Sequence, residues 1–181
     1  MSTKVLITLT ASNKWYGKQI RKALKSNVNH GLILYRSRDW KDWRAVDTQE
    51  KGVTPAVSAK KLTRIDYAEC WECDLDMWEG LRATKRDLYK KYDYVGLVFG
   101  LIRAVLSNYL HITINKPIHA HNRLFCTEYI AAVFQGAKIP GTDEWIIANI
   151  SPKDLQDFMK ASPHFKPVAV PAPVRDLYEE K

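Results

Sequence analysis

The chain has 181 residues, 46% of them hydrophobic and 11% aromatic, which excludes a disordered protein and fits one folded domain. Lysine and arginine outnumber aspartate and glutamate by 28 to 20, a net charge of +8 that raises the question of nucleic-acid binding. The basic residues are scattered and no nucleic-acid-binding motif accompanies them, so we expect no nucleic-acid partner.

Two apolar runs bear on location. Residues 4–9 form an apolar run that is too short, and too interrupted by threonine, for a signal peptide. The run Val95 to Leu106 is interrupted by Arg103 and is too short to cross a bilayer. Three cysteines cannot form a disulfide framework. We therefore expect a cytoplasmic protein with reduced thiols and no transmembrane segment.

The first half of the chain has the alternating pattern of β-strands, interrupted by one amphipathic helix from about Lys14 to Lys25. Pro55 cannot donate a ladder hydrogen bond, so its strand is expected at an edge of the sheet. The predicted strands are Lys4–Leu9, one that opens with His30, Trp43–Gln49, Val53–Ser58 and Ile65–Leu75.

Between the second and third strands, aromatic residues alternate with cations. Such a cluster can stack bases or hold a phosphate or an anionic lipid. A simpler interpretation is a hairpin loop whose tryptophans fold back onto the sheet. The residues are Arg36, Arg38, Trp40, Lys41, Trp43 and Arg44.

The C-x-x-C pair Cys70 and Cys73 suggests redox or zinc chemistry. The two lie on a predicted strand, however, where residues three apart point to opposite faces. No second pair follows to complete a zinc site. We interpret the match as accidental.

The second half of the chain is mostly helical in pattern. One helix is predicted at Met77–Lys91, and a second, Val95–Leu106, is apolar nearly all round and so is predicted to be buried. Ser151 is expected to cap a last helix, with a proline in its first turn. We assign residues 1–161 to a single domain and residues 162–181 to a proline-rich extended tail on the surface.

Cys126 begins a further apolar helix, which should end near Gly136. Ile130, Val133 and Phe134 follow Cys126 at the spacing of one helical face, so Cys126 is expected in the first turn. There, unpaired backbone N–H groups and the helix dipole stabilise a thiolate and lower a cysteine pKa. From its position alone, Cys126 could equally be a small buried core residue.

A thiol that attacks an acyl carbon needs a base and a polar group that orients the base. His30 is a suitable base at the start of its strand, and Gly31 beside it permits close approach of another element. Asp47 shares one strand face with Gln49 and could accept the N–H of His30. The chain thus contains histidine, acid and cysteine in that order.

Two further histidines offer an alternative. His119 and His121, with Cys126, could bind zinc, but no fourth ligand has an evident spacing. A polar loop near the active site is the favoured interpretation. We therefore expect no metal and no cofactor.

Five local sequences, taken together, resemble the circularly permuted branch of the NlpC-type papain-like cysteine hydrolases, which includes the lecithin:retinol acyltransferase-like enzymes. The resemblance covers about residues 4–160. The five matching segments are Asn29-His30-Gly31-Leu32-Ile33-Leu34, Val46-Asp47, Tyr92-Asp93-Tyr94-Val95-Gly96-Leu97, Phe125-Cys126-Thr127-Glu128-Tyr129 and Ser151-Pro152-Lys153-Asp154-Leu155.

The resemblance implies an α+β fold in which an antiparallel sheet packs against the helix that carries the nucleophile. It implies catalysis by Cys126, with His30 as base and Asp47 as third residue, on an amide, ester or thioester carbonyl of a peptide, isopeptide or lipid. The family's third residue is often Glu or His, so Gln49 and Glu50 remain alternatives to Asp47. Acyl transfer to a lipid-type acceptor, or a non-catalytic binding or inhibitor module, would suit the same fold.

Overall fold

The computed structural model describes residues 3–12, 14–37, 42–49, 52–58, 67–112 and 123–172. The strands are β1 (Lys4–Ala11), β2 (His30–Arg36), β3 (Arg44–Gln49), β4 (Gly52–Ser58), β5 (Tyr67–Cys73), β6 (Lys91–Tyr92), β7 (Arg123–Leu124) and β8 (Phe165–Val168). The helices are α1 (Trp15–Leu24), α2 (Met77–Ala83), α3 (Tyr94–Leu110), α4 (Cys126–Gly136) and α5 (Pro152–Ala161).

The main sheet has the strand order β4-β3-β2-β1-β5-β8, and every neighbouring pair is antiparallel. The predicted α+β class with an antiparallel sheet is confirmed. The strand that contains Pro55 lies at an edge, also as predicted. β6 and β7 form a separate parallel pair that aligns Tyr92 with Leu124, two residues before the candidate nucleophile.

The two faces of the main sheet carry separate hydrophobic clusters, because successive residues of a strand point to opposite sides. On one face, Ile7 of β1 packs with Ile130 of α4 and Leu155 of α5, and all three are 1% exposed or less. Leu6, its neighbour in β1, belongs to the other cluster with Trp43. The helix that begins at Cys126 therefore lies against the first face of the sheet.

The prediction for α3 is right about the helix and wrong about its burial. Gly96 is the one buried residue of α3, and Val98 is 52% exposed. An apolar helix needs another surface to cover it. Its composition does not show whether that surface belongs to the same chain. α1 contacts only part of α3, for example where the Asn108 side-chain amide donates to the Ala23 carbonyl at 3.0 Å.

Two other boundaries differ from the sequence prediction. The helix predicted at Met77–Lys91 ends at Ala83, because a 3-10 turn and the extended backbone of Leu88 lead the chain into β6. Phe165–Val168, in the predicted tail, is extended but pairs with β5 as an edge strand. The sheet therefore continues beyond residue 161, and residues 173–181 lie outside the described part of the chain.

Candidate active site

Cys126 lies in the first turn of α4, as its spacing predicts; it is the first residue of the helix and is 4% exposed. Phe125 before it has extended backbone, with φ −104° and ψ 174°, so the chain turns into the helix at the thiol. The Phe125 N–H donates to the Glu128 carboxylate at 2.8 Å, which stabilises the first turn. At this position the Cys126 N–H has no acceptor within the helix and is oriented toward the helix N-terminus.

His30 lies between the two other predicted site residues. Its Nε2 is 2.7 Å from Oδ1 of Asp47, and the Cys126 thiol is within hydrogen-bonding reach of the same ring. Since Nε2 is engaged by Asp47, Nδ1 is the nitrogen left for Cys126. A carboxylate that engages one nitrogen fixes the ring orientation and its tautomer. The structure thus brings together Cys126, His30 and Asp47.

The electrostatics of the three residues favour a charged ring. Burial alone lowers the pKa of His30, but the charge of a Cys126 thiolate and then that of Asp47 oppose it, and both groups also accept hydrogen bonds from the ring. Together they raise the pKa of His30 well above 6.5. The side chain of His30 is 25% exposed, whereas that of Asp47 is only 4% exposed. His30 is therefore more accessible to solvent and substrate than Asp47 is.

Gly31 explains how the histidine strand and the cysteine helix come so close. A Cβ at Gly31 would lie 2.6 Å from Cδ1 of Ile130, far inside a normal contact. Ile130 is four residues after Cys126, on the same side of α4. The missing side chain lets α4 sit directly on β2, one helical turn from the thiol. The sequence predicted close approach of another backbone or of a substrate; in the structure, the group that approaches Gly31 is the Ile130 side chain.

Asp47 lies beside an irregularity in its strand pair. Ala45 pairs with Val57 and Asp47 with Thr54, so Val46 faces two residues of β4, one of them Pro55. Such bulges re-aim side chains and are common beside active sites. Of the alternatives for the third polar residue, the side chain of Gln49 and all of Glu50 lie outside what the structure describes. Asp47 is the residue that contacts His30.

The residues after Cys126 are committed to internal contacts. Thr127 donates its hydroxyl to the Ile150 carbonyl at 2.5 Å, which ties α4 to the segment before α5. Glu128 is 1% exposed, and burial raises its pKa to about 8. The Thr84 hydroxyl lies 3.4 Å from the phenol oxygen of Tyr129. These contacts give a structural reason for three polar side chains beside the thiol.

The segment Tyr92-Asp93-Tyr94-Val95-Gly96 has a structural role at the start of α3. Asp93 is fully buried and caps α3 by accepting from the Gly96 N–H at 2.9 Å. A Cβ at Gly96 would lie 2.6 Å from the Asp93 carboxylate, so glycine is needed there. The Asp93 N–H in turn donates to the Leu124 carbonyl at 3.2 Å. This bond holds the segment against the chain entering α4.

Tyr92, the first residue of this segment, is a further neighbour of the candidate site. Burial, followed by charges on Cys126, Tyr94 and Asp47, raises the pKa of its phenol, so the hydroxyl keeps its proton at neutral pH. Tyr92 is near the site because β6 pairs with β7. A two-residue parallel pairing has no periodic sequence signal, and only the Tyr-Asp-Tyr motif points to it.

The other candidates do not form a site in the described residues. Cys70 packs in one cluster and Cys73 against the other, so the pair faces opposite sides, as predicted. Trp43 is 8% exposed with the Arg36 guanidinium 5.0 Å from its ring centre, which agrees with a tryptophan folded onto the sheet. Arg38, Trp40 and Lys41 lie outside the described residues.

The described part of the chain also bears on metal binding and on membrane insertion. It holds no group of three or more His, Cys, Asp or Glu residues placed to bind a metal ion. His119 and His121 fall in the undescribed segment 113–122. None of the helices in the described ranges has both the length and the apolar character needed to cross a bilayer.

Comparison with known proteins does not assign the chain to a family. No protein-family model matches the chain, and a search of curated proteins found no matching sequence.

Proposed function

We propose that the chain is a cysteine hydrolase of the permuted papain-like type, acting on an amide, ester or thioester. The observation that carries the proposal is the His30 ring, held by Asp47 at 2.7 Å with the Cys126 thiol in reach of the same ring. Three free cysteines in a chain of this kind suit a reducing cytoplasm.

In the proposed reaction, the Cys126 thiolate attacks the carbonyl carbon and the carbonyl π electrons move to oxygen. The Cys126 N–H at the helix N-terminus donates to that oxyanion, and the protonated Tyr92 phenol is a candidate for a second donor. The intermediate collapses, breaks the bond to the leaving group and forms a thioester. Protonated His30 gives its proton to the departing amine, alcohol or thiol.

Water then completes the cycle. His30, now neutral, takes a proton from water as the oxygen attacks the thioester carbonyl. Collapse of the second intermediate releases the carboxylic acid and regenerates the thiolate beside the imidazolium. Asp47 keeps the imidazole oriented in both halves and stabilises the charge that it acquires.

The test is site-resolved alkylation by iodoacetamide, followed by mass spectrometry at several pH values. Cys70 and Cys73 are internal controls, because burial raises the pKa of Cys70 to about 11 and also raises that of Cys73. We expect Cys126 to react at neutral pH at least about tenfold faster than either, and His30→Ala to remove most of that advantage.

A matched control is available on the far edge of the sheet. His164 pairs with Asp74 at 3.0 Å, a geometry like that of the candidate site. His164→Ala should leave the alkylation of Cys126 unchanged. If Cys126 reacts no faster than Cys73, or if both histidine variants behave alike, the paired nucleophile is refuted and a binding module becomes the better proposal.

Acyl transfer is the second candidate, favoured by the exposed apolar helix α3, which begins two residues after Tyr92. The two reactions share the thioester and differ in the acceptor. Intact mass after mixing with a p-nitrophenyl ester should show an acyl adduct that Cys126→Ala abolishes. Decay in buffer alone indicates hydrolysis, whereas decay that requires an added amine or alcohol indicates transfer.

A further inference from the structure

The exposed face of α3 is apolar along its whole length. Its large side chains recur three or four residues apart, which places them in one stripe on the helix. A surface helix normally turns such a stripe toward the core and its polar side to solvent. The stripe consists of Val95, Val98, Phe99, Ile102, Val105 and Tyr109, each between 41% and 52% exposed, and Leu110 extends it at 59%.

The charged side chains of α3 and of its neighbour α1 are all cationic. Neither α3 nor its neighbour α1 contains an aspartate or a glutamate, and the charged residues of the two helices are Lys18, Arg21, Lys22 and Arg103. Contiguous exposed apolar surface of this kind marks an interaction site. Because the charged residues beside the stripe are cationic, the stripe suits a partner with an apolar interior and an anionic surface.

Lysines and tyrosines stand at both ends of the stripe. Tyr94 opens α3, three residues after the exposed Lys91. At the other end, the Tyr109 hydroxyl donates to the Lys22 carbonyl at 2.9 Å, and Nζ of Lys25 lies 4.7 Å from the Tyr109 ring centre. Amphipathic side chains around an apolar face are the arrangement of helices that lie in the plane of a membrane interface.

We propose that α3, flanked by α1, docks onto the surface of an anionic lipid bilayer with its axis along the surface. The stripe would enter the boundary between headgroups and acyl chains, and the lysines would meet the lipid phosphates. A second copy of the chain is a poorer occupant, because pairing two such faces would bring their cations together. This inference does not depend on Cys126 being a nucleophile.

The docked face adjoins the candidate site, since Asp93 both caps α3 and bonds to Leu124 before Cys126. Binding to a bilayer would therefore bring the N-terminal end of α3, and the chain that leads into Cys126, close to the membrane surface.

The experiment is co-sedimentation of the full chain with vesicles of two compositions. One contains equal parts of phosphatidylcholine and phosphatidylglycerol, and the other contains phosphatidylcholine alone. We expect binding to the anionic vesicles that weakens with added salt, and little binding to the neutral ones. Val98→Glu should reduce the affinity at least about tenfold, because it places a negative charge in the stripe.

Two lysine variants make a matched pair, each changing the net charge by the same amount. Lys22→Glu, beside the stripe, should weaken binding roughly fivefold or more. Lys160→Glu, exposed on α5, should have a much smaller effect. Circular dichroism should show that all the variants fold, and Cys126→Ala should bind like the native chain.

Three results would overturn the proposal. One is failure of the native chain to bind the anionic vesicles. Another is equal binding by the native chain and Val98→Glu. The third is a dimer in sedimentation equilibrium that Val98→Glu converts to a monomer, which would assign the stripe to a second copy.

Discussion

Nε2 of His30 lies 2.7 Å from Oδ1 of Asp47, and this contact determines how the rest of the candidate site can work. The contact with Asp47 engages Nε2, the ring nitrogen farther from the backbone, so Nδ1 is the nitrogen left for Cys126. The carboxylate is 4% exposed, so little solvent screens its charge. A buried acid thus orients and charges a histidine that remains accessible.

Asp47→Asn should lower the pKa of His30 while keeping the size of the side chain. The negative charge that favours the imidazolium is removed, so the proton leaves at a lower pH. NMR titration of the His30 ring measures the midpoint directly. Asp74→Asn, which alters the partner of His164, should leave the His30 midpoint where it is. An unchanged midpoint in Asp47→Asn would show that Asp47 does not set the charge of the ring.

Gly31→Ala should reduce the free energy of unfolding by about 1–3 kcal/mol, because its methyl group would meet Cδ1 of Ile130 in a packed core. Ile130→Val removes that carbon and alone should cost about 1 kcal/mol. In the double variant the clash is absent, so the combined loss should be smaller than the sum of the two. Urea unfolding of the four proteins measures the coupling. Strict additivity would mean that Gly31 is not needed for the approach of α4.

Glu128→Gln should change how stability depends on pH. Burial raises the pKa of Glu128 from 4.5 to about 8, against smaller opposing effects of the Phe125 N–H and Lys90. The folded chain keeps a proton that the unfolded chain loses, so stability is fully present below about pH 4.5 and falls as the pH rises to 8. At about 1.4 kcal/mol per pKa unit, the full loss is roughly 5 kcal/mol.

The glutamine cannot ionise. The free energy of unfolding of Glu128→Gln, measured with urea, should therefore increase relative to that of the native chain as the pH rises from 5 to 8.5. Glu79→Gln is the control, because Glu79 has an exposed side chain on α2. It should follow the native profile. Parallel profiles for Glu128→Gln and the native chain would contradict a buried, protonated Glu128.

Two glycines of α3 should respond in opposite ways to alanine. A Cβ at Gly100 meets nothing within 4 Å, so Gly100→Ala should stabilise the chain by about 0.5–1 kcal/mol through helix propensity. A Cβ at Gly96 would lie 2.6 Å from the Asp93 carboxylate, so Gly96→Ala should disrupt the cap and destabilise by about 1 kcal/mol or more. Thermal unfolding compares the pair. Equal effects would mean that the Asp93 cap contributes little.

Sequence reasoning predicted those features that local patterns encode. The start of α4 at Cys126, the Ser151 cap of α5 and the edge position of the Pro55 strand each depend on a few neighbouring residues, and the structure has all three. The Ser151 side chain accepts from the Asp154 N–H at 3.2 Å, as a capping residue should. The capped end explains why Pro152 is tolerated there.

The features that sequence reasoning missed depend on contacts between distant segments. Whether α3 is covered depends on which elements pack beside it, and its own apolar pattern is the same in either case. The prolines of the predicted tail indicated extended backbone only. They did not predict that Phe165–Val168 pairs with β5. The position of Tyr92 follows from its pairing with Leu124, which lies beyond α3 in the sequence.

The order of the elements has a consequence for synthesis of the chain. The acid and the base lie on strands that leave the ribosome early, whereas the thiol and two of the helices on the same sheet face, α4 and α5, follow only from residue 126 onward. An incomplete chain therefore contains His30 and Asp47 without the Cys126 nucleophile. It also leaves Ile7 and its apolar neighbours without the cover of Ile130 and Leu155 until α4 and α5 emerge. Nascent chains of intermediate length should therefore be the most prone to aggregate.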